Sequence, residues 1–407
     1  MRVINYEQLK QILSGVGENP RVVASGNFAT PTVLLNALDE SVETYRLNML
    51  GAQVGIPNRE GVEYESAFVG PGMRRHERLN YVPSRLSLVP ILFRDHFWPN
   101  IVLLHTSAPR HDTVSLGIEV NVLPAAIEAV RERGGLVIAQ ANKNMPYTYG
   151  DAQIYEHEID YLIEVDEQLL SKEPTPAVGD AKEIGDRIAA MVTDGSTMQL
   201  GIGGIPDAVL AGLLKRKNLR VWTEMFSDGV LDLHKAGALD PELPLTASFL
   251  FGSTELYEWL HLNRSVRMLR TEKTNDPGQI SRQAKMTSIN AALEVDLYDQ
   301  ANASYVRGEI YSGFGGSTDF IVGALHSRGG QSFMALPSWH PKANKSAIVP
   351  HLTDNVTSFQ HSYVATEQGL AACFGHTQKQ QAENIIAVAH PDARAELVDA
   401  AKRMGLI

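Results

Sequence analysis

The chain has 407 residues, 44% of them hydrophobic and 20% charged, with a formal net charge of −11. At about 100–200 residues per domain it should hold two domains, three at most, each long enough to bury a core. The acidic excess argues against a general affinity for DNA, RNA or anionic lipid, but not against a small anion held by local cations and backbone N–H groups.

In chain order, short β-branched or apolar runs alternate with helical patterns, which predicts α/β units. Residues 1–7 lack the long apolar stretch of a signal peptide. The run 21–24 reads as a strand, followed by Gly26, Pro31 and an apolar helix over 31–38. Further strands are expected at 101–105 and 135–141, with a helix over 123–133 between them. The segment 169–179 clusters Pro174 and Pro176 among polar residues and reads as a linker, so the domains are expected at 1–179 and 180–407.

Beyond it, a helix over 181–192 should be capped by Asp180, and strands should follow at 197–200, 220–225, 266–269 and 333–336. Gly201 precedes Pro206 by five residues, the spacing of Gly26 and Pro31, and the match is compatible with two similar α/β halves. The last helix should open at Pro391 and stop at Gly405. No segment nears the roughly 18 consecutive apolar residues of a membrane span. Cys373 is the only cysteine, so an intrachain disulfide and a cysteine zinc site are excluded, and a reducing cytoplasm is the expected setting.

Two glycine loops stand out. Gly201-Ile202-Gly203-Gly204-Ile205-Pro206 would open a helix whose first N–H groups suit a phosphate or an oxyanion, but a plain tight turn has the same composition. It matches neither the dinucleotide fingerprint nor the P-loop. Gly313-Phe314-Gly315-Gly316 is the second, with Ser317 or Thr318 as the expected helix cap.

Between the loops, Glu294 and Asp296 stand two residues apart, so on a strand both carboxylates share a face. A solvated strand edge explains them; so does a nucleophile, if Glu294 sits in a water-poor cleft. Arg264, Arg267, Arg270 and Lys273 recur at threes, as a solvated face or as a cradle for phosphates. His105, His111 and Asp112 lack a convincing metal-ligand spacing.

Taken in order, several segments resemble the acetyl-CoA hydrolase/transferase family, which includes 4-hydroxybutyrate CoA-transferases. They are Thr197-Met198-Gln199-Leu200-Gly201, Thr223-Glu224-Met225-Phe226-Ser227-Asp228-Gly229, Asn275-Asp276-Pro277 and the 288–296 stretch. The second glycine loop, Val364-Ala365-Thr366-Glu367-Gln368-Gly369 and Ala389-His390-Pro391-Asp392 complete the set. The resemblance implies two CoA-transferase-type open α/β domains with the active site in the cleft between them. By the same resemblance Glu294 is the catalytic glutamate, and the Ile205 and Gly369 N–H groups are oxyanion donors. Gly201, Gly203, Gly204, Gly313, Gly315 and Gly316 become candidates for contact with the CoA thioester arm.

The implied reaction moves CoA from an acyl-CoA to acetate or a short-chain or hydroxy acid, through a glutamyl-CoA thioester and with ping-pong kinetics. CoA is then a substrate; no tightly bound cofactor and no metal is called for, and a cytoplasmic homodimer is the default assembly. The chain departs from the family at Phe28, where relatives often carry a polar residue or histidine, and at Phe374, where an arginine is usual. An acyl-CoA hydrolase using the same glutamate is the nearest rival. A nicotinamide-dependent dehydrogenase and a non-catalytic acyl-CoA-binding protein are the others.

Overall fold

A computed structural model describes residues 1–201 and 203–407; Ile202, inside the first glycine loop, lies outside the described residues. The chain gathers into two compact units. One comprises Met1–Glu173, Pro244–Thr274 and Ile310–Gly315; the other comprises Pro174–Leu243, Asn275–Glu309 and Gly316–Ile407. The first crossing, at 173–174, falls inside the proline-bearing 169–179 segment, which has no regular structure before its last residue.

The first unit is built on a parallel sheet of eight strands. In chain order these are β1 (Arg2–Val3), β2 (Arg21–Ala24), β3 (Tyr45–Asn48), β4 (Val62–Ser66), β5 (Leu79–Tyr81), β6 (Ile101–Ser107), β7 (Leu136–Asn142) and β8 (Tyr161–Val165). They lie side by side as β1-β8-β7-β6-β2-β3-β4-β5. All seven residues of β6 are buried, which is why the strand opens on four consecutive apolar residues, 101–104, and not on an alternation. Helix α1 (Thr32–Ser41) packs Leu34, Leu35 and Leu38 with Val22, Leu47 and Leu103 in one core. Each such leucine contributes about 1.5–3 kcal/mol by leaving water. Helix α2 (Leu123–Arg131) turns all but Glu128 and Arg131 inward.

The second unit carries two principal sheets beside short two-stranded ribbons. Its strands are β9 (Thr197–Gln199), β10 (Arg220–Val221), β11 (Met286–Ala291), β12 (Glu294–Asp296), β13 (Gln300–Asn302), β14 (Gln331–Ala335), β15 (Ile348–Val349), β16 (Ser358–Phe359), β17 (Tyr363–Thr366) and β18 (Gly369–Ala372). The larger sheet runs β10-β9-β11-β14-β17-β18, parallel except for the last pair; the smaller runs β15-β12-β13-β16. Helices α3 (Asp180–Met191), α4 (Gly204–Gly212), α5 (Asp228–Lys235), α6 (Ser317–His326), α7 (Gln378–Ala387) and α8 (Pro391–Arg403) complete it. Helix α3 lies close on α4 because Gly185 has no side chain: a Cβ there would stand 2.3 Å from the Ala208 Cβ.

Three local expectations are corrected. The helix at 180 starts from Gly179, at φ +58°, so Asp180 is its first residue and not its cap; the carboxylate instead complements the positive helix end. Helix α6 is likewise entered from Gly316, and Thr318 Oγ1 donates to Thr357 O at 3.1 Å. The expected strand over 220–225 breaks after Val221, because Thr223 bonds the loop after β9 and so leaves the ladder.

Candidate active site

The second unit brings Thr223-Glu224-Met225 against the first glycine loop and against Gly316. Thr223 Oγ1 receives the Leu200 N–H at 3.2 Å and lies 2.8 Å from Met225 O, which stitches the start of the first loop to the turn after β10. Leu200 and Met225 also form an isolated antiparallel bridge. That stitching fixes Glu224 between them. Its carboxylate accepts a hydrogen bond from Asn275 Nδ2 at 2.8 Å. Gly316 closes in from the second loop: a Cβ there would stand 2.0 Å from Glu224 Oε2 and 2.1 Å from Asn275 Nδ2. Only glycine permits this approach.

Glu224 is densely surrounded, yet part of its surface stays open to solvent. Loss of hydration raises its pKa to about 7; the Asn275 hydrogen bond opposes that rise and the charge of Asp319 adds to it. A carboxyl group near half ionisation at neutral pH, poorly hydrated but reachable, is suited to covalent chemistry.

Glu294 is also buried, in β12, but its surroundings differ. Its Oε1 lies 2.5 Å from Lys345 Nζ, and the Lys345 side chain is half-exposed. Asp296 is a turn clamp: fully buried, it accepts from the backbone N–H groups of Tyr298, Gln300 and Leu352 and from Gln300 Nε2, at 2.9–3.2 Å.

The six glycines sort into three kinds. Gly201, Gly203 and Gly204 are wholly or partly exposed, Gly203 at φ +126°, and nothing stands within 4 Å of a Cβ placed on Gly203. A ligand can therefore approach this backbone closely. Gly313 and Gly315 are buried instead, under Ala67 and Phe68 of the first unit, so packing accounts for both. Gly316 alone of the second loop meets a titratable group.

Ile205 occupies the first turn of α4, where backbone N–H groups lack helical partners. Gly369 opens β18 after a turn tied down by Thr366 Oγ1 to Val388 O at 2.7 Å. Helix α3 links the two neighbourhoods: it packs on α4, and Arg187 Nη2 donates to Glu367 O at 2.9 Å. Burial by itself would raise the Glu367 carboxyl's pKa, but hydrogen bonds from Ser338 and Gln368 bring it below the usual range.

Of the basic run, Arg270 is committed to Glu128 and Glu272, and Lys273 to Asp151. Ion pairing thus accounts for two of the four cations without a phosphate. His105 is buried with its pKa lowered to about 4, chiefly by desolvation, so its imidazole is neutral. Burial pushes the Cys373 thiol up and leaves it unreactive. Glu224 and Asn275 were present in the quoted motifs without a role. The available signal was an acid at the end of a strand, just ahead of a helix and between two glycine loops.

Residues 252–401 match the family model of the acetyl-CoA hydrolase/transferase C-terminal domain. The 4-hydroxybutyrate coenzyme A transferase of Clostridium kluyveri is 34% identical, over 97% of this chain and 96% of that protein. Among solved structures, 4-hydroxybutyrate CoA-transferase from Porphyromonas gingivalis superposes with a TM-score of 0.83 at 32% identity, covering 99% of this chain and 98% of that one. RipA from Yersinia pestis superposes with a TM-score of 0.92 at 27% identity, covering 100% and 98%.

Proposed function

The chain belongs to the acetyl-CoA hydrolase/transferase family, and we propose that it moves coenzyme A between carboxylic acids through an enzyme-bound glutamyl-CoA thioester. The observation that carries this reading is Glu224: poorly hydrated, reachable, titrating near neutrality and pressed against Gly316. Glu294, which motif order puts forward, is the rival nucleophile; its ion pair with Lys345 speaks for a structural role.

In the first half-reaction the Glu224 carboxylate attacks the acyl-CoA carbonyl and CoA thiolate leaves, giving a mixed acyl-glutamyl anhydride. The thiolate then attacks the glutamyl carbonyl, giving the glutamyl-CoA thioester and the free acid. A second carboxylate reverses both steps and departs as the new acyl-CoA, so the kinetics are ping-pong. Backbone N–H groups of Ile205 and Gly369 are the proposed oxyanion donors, where losing one such donor typically costs about 10²–10³ in rate. Gly201, Gly203 and Gly204 give the thioester arm a backbone it can lie against. The acids named for the relatives make acetate and a short-chain or hydroxy acid such as 4-hydroxybutyrate the first pair to try. A cytoplasmic homodimer is the working form.

The test is to incubate the purified protein with acetyl-CoA alone and then add an acceptor acid. Formation of a new acyl-CoA at the expense of acetyl-CoA supports transfer. Steady release of free CoA without acceptor supports the hydrolase. No turnover over a panel of acyl-CoAs leaves a binding protein.

A further inference from the structure

The second unit buries a cluster of Asp299, His361 and Ser358. His361 Nδ1 lies 2.7 Å from Asp299 Oδ1, its backbone N–H donates to Asp299 Oδ2 at 2.8 Å, and its Nε2 lies 3.1 Å from Ser358 Oγ. The order is that of a hydrolase triad, but Asp299, His361 and Ser358 are only 2%, 0% and 1% exposed, so no substrate reaches the hydroxyl. The cluster works as a clamp. It fixes the residues on either side of Phe359 and Gln360 and leaves those two outside. Phe359 is 54% exposed, and Gln360 sits at φ +62°, a left-handed conformation that a β-carbon disfavours and that concentrates at ligand clamps.

Both residues line a cavity of about 400 Å³, within the range of small-molecule sites. Its other walls include Tyr298, Gln300, His351 and Gln381. The chemistry is specific: three rings, three carboxamides and no lysine or arginine. The one carboxylate at its edge, Asp299, has both oxygens engaged by His361. Gln300 Nε2 is committed to Asp296 Oδ2 and Gln381 Nε2 to Cys373 O, each at 2.9 Å, so each of these amides has its carbonyl oxygen to offer. Gln360 can offer both ends of its amide.

This lining does not suit a phosphate, which needs cations or oriented N–H groups. It suits a flat, neutral ring with a donor next to an acceptor. Carboxamides pair in that way with the N6–H and N7 edge of adenine, and aromatic side chains stack on its face. We propose that this cavity binds an adenine base. Two sources share that chemistry: the adenine end of CoA, and a free adenine nucleoside or nucleotide.

Adenosine is the probe, titrated into the full chain by calorimetry, with uridine as the control. Saturable binding of adenosine and none of uridine is expected, weakened at least tenfold in both Phe359→Ala and Gln360→Gly; the latter removes the amide without straining the backbone. Displacement of adenosine by CoA, with Phe359→Ala raising KM for acyl-CoA but not for an acyl-pantetheine, assigns the base to CoA. Unchanged adenosine binding at saturating CoA assigns it to a free nucleoside. No saturable adenosine binding, or binding that survives both substitutions, overturns the proposal. Because adenosine binding is read without turnover, its failure leaves the transferase reading standing.

Discussion

Two glutamates of one unit, Glu294 buried and Glu224 partly open to solvent, differ in what surrounds their carboxylates. Glu294 has a lysine ammonium at 2.5 Å and shares its strand with Asp296, a carboxylate committed to holding a turn. Glu224 has one amide donor, a nearby carboxylate and the backbone of a glycine. A lysine ammonium meets Glu294, whereas among the described residues the groups placed at Glu224 are an amide, a carboxylate and a glycine backbone; the proposed nucleophile rests on that difference. A cation lowers both the energy of a carboxylate and its appetite for a carbonyl carbon. Desolvation without a cation does the opposite.

The largest expected effect comes from removing the reactive group. Glu224→Ala should reduce transfer by about 10⁴-fold or more, the scale of losing a covalent nucleophile, measured as acyl-CoA exchange with the fold checked by circular dichroism. Comparable loss in Glu294→Gln, with Glu224→Ala active, would invert the comparison. Next comes Gly316→Ala. Its methyl group would stand 2.0 Å from Glu224 Oε2, so carboxyl and backbone must separate. A displacement of about 1 Å at a reacting group costs on the order of 10²-fold in kcat.

A smaller effect is the pH dependence. Formation of the acyl-enzyme needs ionised Glu224, so kcat/KM should rise about tenfold per pH unit below its pKa of about 7 and level off above it. Stability carries the opposite sign. The folded state holds this proton to a higher pH than the unfolded chain, whose glutamates titrate near 4.5. The contribution is therefore complete below about 4.5 and is lost as pH rises through about 7. The urea midpoint of wild type should therefore fall from about pH 4.5 to about pH 7, relative to that of Glu224→Gln, which lacks the titrating group. The smallest effect is expected of Glu294→Gln: activity within a few fold of wild type and a stability loss of about 1 kcal/mol or less, since Lys345 is half-exposed.

The fold was largely legible. Residues 21–24 declare a strand by composition, and Pro391 with Gly405 frames the last helix, which spans Pro391–Arg403 with Gly405 at φ +71°. Caps were less so, because a glycine at positive φ, as at Gly179, can open a helix and leave the neighbouring aspartate inside it. The site was legible in its pieces and not in its pairing. The alternation at 293–297 shows that Glu294 and Asp296 share a face, but it carries no information about Lys345, 51 residues further on. Thr223, Glu224, Asn275 and Gly316 are likewise distant in sequence; only the folded chain brings their atoms together.

The most direct measurement is to locate the covalent adduct. The protein is charged with acyl-CoA in the absence of acceptor, treated with hydroxylamine to convert a glutamyl thioester to a hydroxamate, digested, and the modified peptide sequenced by mass spectrometry. The account predicts the hydroxamate on Glu224. Modification of Glu294, with Glu224 untouched, would contradict it.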